Sequence, residues 1–283
     1  MEHQQAGEGW PAALRDPSGR RAAKPRRTGR TMVIDKGLGL RAFEDMLAAA
    51  ADYIDIVKFG FGTSCLYPPE LLRRKTAAAA AAGVLTMPGG TLLEAAAARG
   101  LADAFFASAA AFGFTAIEVS DGTIEMNRDL RSALIVKALD AGFTVVTEFG
   151  KKRAGFRPDA EELAKTVEID TALGAEFVTI EARESGKNAG IFDENGSFRA
   201  EDAEAIVRAV PCGLLMWEAP LKTQQAKLLQ LLGPDLNIGN VAPEDALALE
   251  ALRRGLRSDT FAFGAGAAAG VGQGADRLRR DAP

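Results

Sequence analysis

Between residues 31 and 256, short runs rich in β-branched and aromatic residues alternate eight times with stretches of helical periodicity. The predicted strand runs are Thr31–Lys36, Tyr53–Phe59, Val84–Pro88, Ala116–Ser120, Thr144–Phe149, Phe177–Ala182, Gly213–Glu218 and Leu236–Asn240. Helical patterns follow at Arg41–Ala51, Pro69–Ala82, Thr91–Ala98, Arg128–Ala141, Asp159–Leu173, Ala200–Val210, Thr223–Leu232 and Pro243–Leu256. Such alternation favours a parallel sheet, because each helix carries the chain back to where the next strand begins. Eight units in about 230 residues match a single-domain (β/α)8 TIM barrel, whose usual size is about 250 residues. A doubly wound sheet is the alternative. Thr91-Leu-Leu-Glu94 reads as a capping box, and Pro243 suits a first helical turn.

The unit count predicts one catalytic domain over 31–262, with a flexible basic N-terminal tail over 1–30 and a Gly/Ala-rich flexible tail over 263–283. The N-terminal tail holds seven basic residues (Arg15, Arg20, Arg21, Lys24, Arg26, Arg27, Arg30) against three acidic ones. It has no apolar h-region of a secretory leader. The whole chain has net charge −4. With the basic tails set aside, residues 31–261 carry about −9, which argues against nucleic acid as a partner. Apolar runs such as Thr76–Met87 are too short to span a membrane. Two cysteines, Cys65 and Cys212, suit a reducing compartment, and the expected location is the cytoplasm. A homo-oligomer stays open.

The only histidine is His3, so triads, His-ligated zinc and imidazole acid–base chemistry are effectively removed. Lysine, carboxylates or a metal must carry any catalysis. In a barrel the active site is built at the C-terminal strand ends, and here those ends are charged. They carry Asp35, Lys58, Glu118, Glu148 with Lys151 and Lys152, Glu181 with Arg183, and Glu218. Period-two alternation puts Glu148 and Lys152 on one face, as it does Glu181, Arg183 and Ser185. Five acidic strand ends repel one another unless cations intervene, and oxygen ligands without histidine or thiolate suit Mg²⁺. Lys–Glu pairing alone is the competing account. Small anionic substrates are the expected partners. Of four glycine-containing turns able to offer amides to an anion, Gly89-Gly90-Thr91 and Arg183–Lys187, with Ser185, Gly186 and Lys187, are preferred. The turn Asn237–Asn240 is set lower, because Glu244 and Asp245 occupy the start of the helix after it.

The same strand ends carry a family pattern. It runs through Met32-Val-Ile-Asp-Lys-Gly37, Asp52-Tyr-Ile-Asp-Ile-Val-Lys58, Phe59-Gly-Phe-Gly-Thr-Ser64 and Pro88-Gly-Gly-Thr-Leu92. It continues in Ile117-Glu-Val-Ser-Asp-Gly122, Thr147-Glu-Phe-Gly-Lys-Lys152, Glu181-Ala-Arg-Glu-Ser-Gly-Lys187, Trp217-Glu-Ala-Pro220 and Leu252-Arg-Arg-Gly-Leu-Arg257. In these segments the chain resembles the phosphosulfolactate synthase family. The resemblance implies a TIM barrel and Mg²⁺-dependent addition of sulfite to phosphoenolpyruvate, giving (2R)-phospho-3-sulfolactate, the first committed step of one route to coenzyme M. It implies Lys152 as general acid, with Lys151 and Lys58 next in line, its pKa lowered by nearby cations. Arg183, Ser185 and Lys187 would hold phosphate or sulfonate. The metal would be held by Glu118, Glu148 and Glu181, chosen from a pool that adds Asp35 and Glu218. Phe61 stands where the family turn commonly has Trp. The alternatives are another nucleophile or reaction on a similar substrate, and a non-catalytic stress-associated relative.

Overall fold

Along each strand one set of side chains faces the helices and the other faces a common centre, which lets a parallel sheet close on itself. The computed structural model describes residues 9–153 and 155–265. Its strands are β1 (Thr31–Asp35), β2 (Ile56–Phe59), β3 (Leu85–Pro88), β4 (Ala116–Val119), β5 (Thr144–Phe149), β6 (Val178–Ile180), β7 (Leu215–Glu218) and β8 (Ile238–Val241). The helices are α1 (Ala12–Arg15), α2 (Leu40–Ala50), α3 (Pro69–Ala81), α4 (Gly90–Ala97), α5 (Ala102–Ala111), α6 (Arg128–Asp140) and α7 (Ala160–Ala172). They continue as α8 (Ala200–Ala209), α9 (Lys222–Leu232), α10 (Ala246–Arg253) and α11 (Ala262–Ala265).

The strands pair in parallel in the order β3-β2-β1-β8-β7-β6-β5-β4, so neighbours in sequence are neighbours in space and no reversal point exists. At the remaining seam, Thr115 N–H donates to the Thr86 carbonyl at 3.1 Å and Thr86 N–H to Thr115 Oγ1 at 3.0 Å. The result is a (β/α)8 barrel, and the doubly wound alternative falls.

Two layers fill its centre. Met32, Ile56, Met87, Ala116, Val146, Phe177 and Met216 form a dry plug. Two residues further along the same faces stand Lys58, Glu118, Glu148 and Glu218, directly above Ile56, Ala116, Val146 and Met216. Glu181 sits four residues beyond Phe177. The plug makes the barrel stable at one end and leaves the charged layer as the floor of a cavity at the other.

Three expectations change. The N-terminal segment from Gly9, expected as a flexible tail, is packed on the surface of the barrel. Arg21 Nε is 2.9 Å from Glu250 Oε2, Arg26 Nε is 3.0 Å from Asp55 Oδ1, and Lys24 Nζ donates to the Ile54 carbonyl at 2.7 Å. A run of arginines that reads as solvated tail thus neutralises carboxylates on the barrel's underside. The other tail is described only to Ala265, where α11 ends; residues 266–283 lie outside the described residues. Second, the capping box does not form. Gly89 precedes α4, and Glu94, 1% exposed, accepts from Ser120 Oγ at 2.6 Å and from the Thr123 and Ile124 amides at 2.7 and 2.8 Å. Third, Asp35 shares the parity of Thr31 and Val33, so it points into the helix layer. There it pairs with fully buried Lys75 and accepts from the Gly37 and Leu38 amides at 2.8 Å. It therefore leaves the pool of metal ligands. Helix α5 was not anticipated, because its alanine-rich sequence shows little periodicity.

Candidate active site

Over the charged layer opens a cavity of about 310 Å³. Strand β2 brings Lys58 to its floor, where Nζ lies 2.8 Å from Glu218 Oε1, 3.1 Å from Glu118 Oε1 and 3.8 Å from Glu148 Oε2. Lys152, four residues after Glu148 at the end of β5, reaches back to Glu148 Oε1 and sits 2.8 Å from Glu181 Oε2. Four buried carboxylates thus share two ammonium groups. Glu118 Oε2 also accepts from Gly90 N–H at 2.9 Å, and Glu218 Oε2 from Ala182 N–H at 3.0 Å.

The protonation pattern follows from this sharing. Burial by itself lowers the Lys58 pKa, but Glu118, Glu218 and Glu148 outweigh it and the net shift is upward. Lys152 behaves alike: burial pulls down, Glu148 and Glu181 push up further, and the ammonium stays charged. This corrects the expectation of a pKa lowered by cations, because the groups nearest Nζ are carboxylates. Glu148 is buried, which raises its pKa, yet Lys152 and Lys58 drive it down to about 2. Glu181 is pushed well above the usual carboxylate range by burial and then by Glu148 and Glu218. Glu118 is raised as well, chiefly by burial.

Lys152 is held from behind. Its N–H donates to the Gly122 carbonyl at 2.9 Å, and Glu94 pins the Thr123 and Ile124 amides of the same loop. Lys151 Nζ donates to the Asp121 carbonyl at 2.8 Å and pairs with Asp121 Oδ2 at 3.1 Å. Lys151 does not line the cavity; it ties the β4 loop to the β5 loop. Arg131, buried in α6, completes the tie. It donates to the Glu148 carbonyl at 3.0 Å and pairs with Asp121 and Asp170 at 3.1 and 2.7 Å. Sequence reasoning missed Arg131 and Glu94, since each looks like an ordinary helix charge.

Gly89, Gly90 and Thr91 do line the cavity. A Cβ on Gly90 would stand 2.3 Å from Ser120 Oγ and 3.1 Å from Glu118 Oε2, so the glycine permits the close approach of α4 to β4. Gly90→Ala is expected to cost about 1–3 kcal/mol in urea unfolding by overpacking. An unchanged midpoint would show that the loop yields freely.

The β6 loop divides. Arg183, with φ 62° and its N–H on Glu181 Oε1 at 2.5 Å, lines the cavity and makes no ion pair among the described residues. Ser185, Gly186 and Lys187 do not line it. Ser185 and Lys187 are exposed, and the Gly186 carbonyl accepts from Gln224 Nε2 of α9 at 2.7 Å. The turn faces a helix instead of the cavity. For a metal, the geometry gathers Glu148, Glu181 and Glu218, whose ligand oxygens lie within 4.8 Å of one another. Glu118 lies outside that group, engaged by Lys58 and Gly90. Phe61, singled out in the sequence as standing where the family turn has Trp, has φ 58° and lines the cavity, as does Asn240, whose side chain did not stand out.

Comparison with known proteins agrees with this architecture. The profile of the (2R)-phospho-3-sulfolactate synthase family matches residues 19–259. A phosphosulfolactate synthase of Methanothermobacter thermautotrophicus is 39% identical over 247 residues, 85% of this chain and 94% of that protein. One from Bacillus subtilis is 39% identical over 244 residues, 85% of this chain and 95% of that protein. Among solved structures, DHDPS from Cyanidioschyzon merolae superposes with TM-score 0.54 at 14% identity, over 84% of this chain and 80% of that one, a likeness of fold.

Proposed function

The chain belongs to the (2R)-phospho-3-sulfolactate synthase family, and from that premise we propose that it adds sulfite to phosphoenolpyruvate, giving (2R)-phospho-3-sulfolactate. The observation that carries the reading is Lys152, a charged ammonium held at the cavity wall by Glu148 and Glu181. When sulfite sulfur bonds to C3, the π pair moves to C2 and spreads into the carboxylate. One proton delivered to C2 then completes the addition. Lys152 Nζ is the donor and is recharged from solvent. Its raised pKa is no obstacle, because the carbon it protonates is far more basic than an amine. Arg183, without a carboxylate partner among the described residues, holds the phosphate at the cavity mouth. Lys58 stays on the floor as the counter-charge of Glu118, Glu218 and Glu148.

The donor set fits a hard divalent cation: three buried carboxylates converge, and two lysines do not balance four of them. Glu148, Glu181 and Glu218 would hold Mg²⁺, which when bound supplies positive charge for the substrate carboxylate. Incubation with phosphoenolpyruvate, sulfite and Mg²⁺ should yield an organic sulfonate, detected by mass spectrometry. Chelation by EDTA is expected to abolish turnover while circular dichroism stays unchanged. Full turnover in chelator would remove the metal, and no sulfonate at all would remove the reaction.

A further inference from the structure

Asn240 stands near the end of β8, between Ile34 of β1 and Glu218 of β7, and is 3% exposed. Among the described residues its carboxamide makes no hydrogen bond, and Oδ1 is sealed from solvent without a partner. A buried amide left in that state is costly, and native structures rarely keep one without a reason. Backbone conformation does not supply the reason. The residue has φ 54°, which asparagine tolerates, but glycine tolerates it too and would bury no polar group. Asn237, three residues earlier in the same segment, shows how this fold treats a structural asparagine. Its Oδ1 accepts from Arg30 N–H at 2.9 Å and its Nδ2 donates to the Leu215 carbonyl at 2.9 Å.

The cavity also gives the amide a task. Both lysines are engaged by carboxylates, and those carboxylates occupy β4 to β7. The wall formed by β8 and β1 carries only Asn240 and Ile34, neither of which is charged. Asn240 lines the cavity, and its carboxamide is the hydrogen-bonding side chain that this wall offers. We infer that Asn240 is a substrate-contacting residue whose carboxamide donates to an anionic oxygen of the substrate from the uncharged wall. The inference rests on the reaction proposed above, whose two substrates are both oxyanions. It brings back, through a side chain, a turn that sequence reasoning had weighed only for its backbone amides.

Asn240→Asp keeps the shape and the backbone preference but replaces the donor with an anion, and Asn240→Gly removes the group without strain at φ 54°. The KM values for phosphoenolpyruvate and for sulfite, kcat and the unfolding midpoint are measured for both variants. The Asp variant is expected to raise one KM roughly 10–100-fold and the Gly variant roughly 10-fold, each exceeding the change in kcat. The substrate whose KM moves is the one whose oxygen the amide holds. Both KM values within twofold of wild type in both variants would overturn the inference, and so would a fall in kcat with KM unmoved. Wild-type turnover tests the reaction separately. If wild type forms no sulfonate, calorimetric binding of phosphoenolpyruvate to wild type and to Asn240→Asp decides: weaker binding by the variant supports the contact, and equal binding or none overturns it.

Discussion

Lys152→Ala is expected to lower turnover by about 10²–10⁴-fold, the usual share of a positioned general acid, while phosphoenolpyruvate still binds through Arg183 and the cavity amides. Lys152→Arg should fail as well. A planar guanidinium is a larger fork and does not place an N–H where the compact ammonium sits between Glu148 and Glu181. The competing account makes Lys152 a counter-ion for Glu148 and Glu181, and then arginine would preserve charge and most activity. Steady-state rates with a binding measurement separate the two. An active Arg variant moves the acid role to Lys58, and an Ala variant that loses binding makes Lys152 a substrate-holding group. The raised pKa adds a pH test. Lys152 remains protonated across the neutral range, so the acidic limb alone, and no lysine titration near pH 7–9, should shape kcat in wild type.

Lys58→Met is expected to destabilise the fold by about 3–5 kcal/mol at neutral pH, the cost of removing one partner from a buried ion cluster. The methionine fills a similar volume, so packing is not the main loss. Glu118, Glu218 and Glu148 lose the ammonium that lies 3.1, 2.8 and 3.8 Å away. Glu118, its pKa already raised by burial, thereby loses its main counter-charge and rises further. A carboxylate shifted that way costs stability as pH rises from its unfolded to its folded pKa, so the deficit of the variant should shrink as pH falls toward about 4. Wild type behaves oppositely through Glu148. Its pKa of about 2 lies below the model-peptide 4.5, so its contribution is present above 4.5 and is lost as pH falls toward 2. Urea unfolding at several pH values reads both trends. A deficit independent of pH would mean that Lys58 acts through packing alone.

Glu148 and Lys152 show how much of the site could be read beforehand. Their spacing of four on a strand and its exit loop put both side chains on the inner face, and the structure pairs them. Asp35 entered the pool only as an acidic strand end, without an orientation for its strand. One residue of register turns the acid outward onto Lys75. Counting acidic strand ends gave the carboxylates from which a metal site was expected. Which three oxygens converge depends on strand stagger around the barrel, and that favours Glu218 over Glu118.

By itself the sequence determined the barrel and the charged strand ends. These follow from short-range periodicity, which each segment expresses without reference to the others. Tertiary structure alone decided the rest: the docking of the N-terminal arginines on Glu250 and Asp55, the pairing of Lys151 with Asp121, the bond of the Gly186 carbonyl to Gln224 of α9, and, among the described residues, the unpartnered amide of Asn240. Each is a contact between residues far apart in the chain. A charge written in sequence does not reveal its partner, because pairing is set by which side chains packing brings within about 3 Å and shields from water.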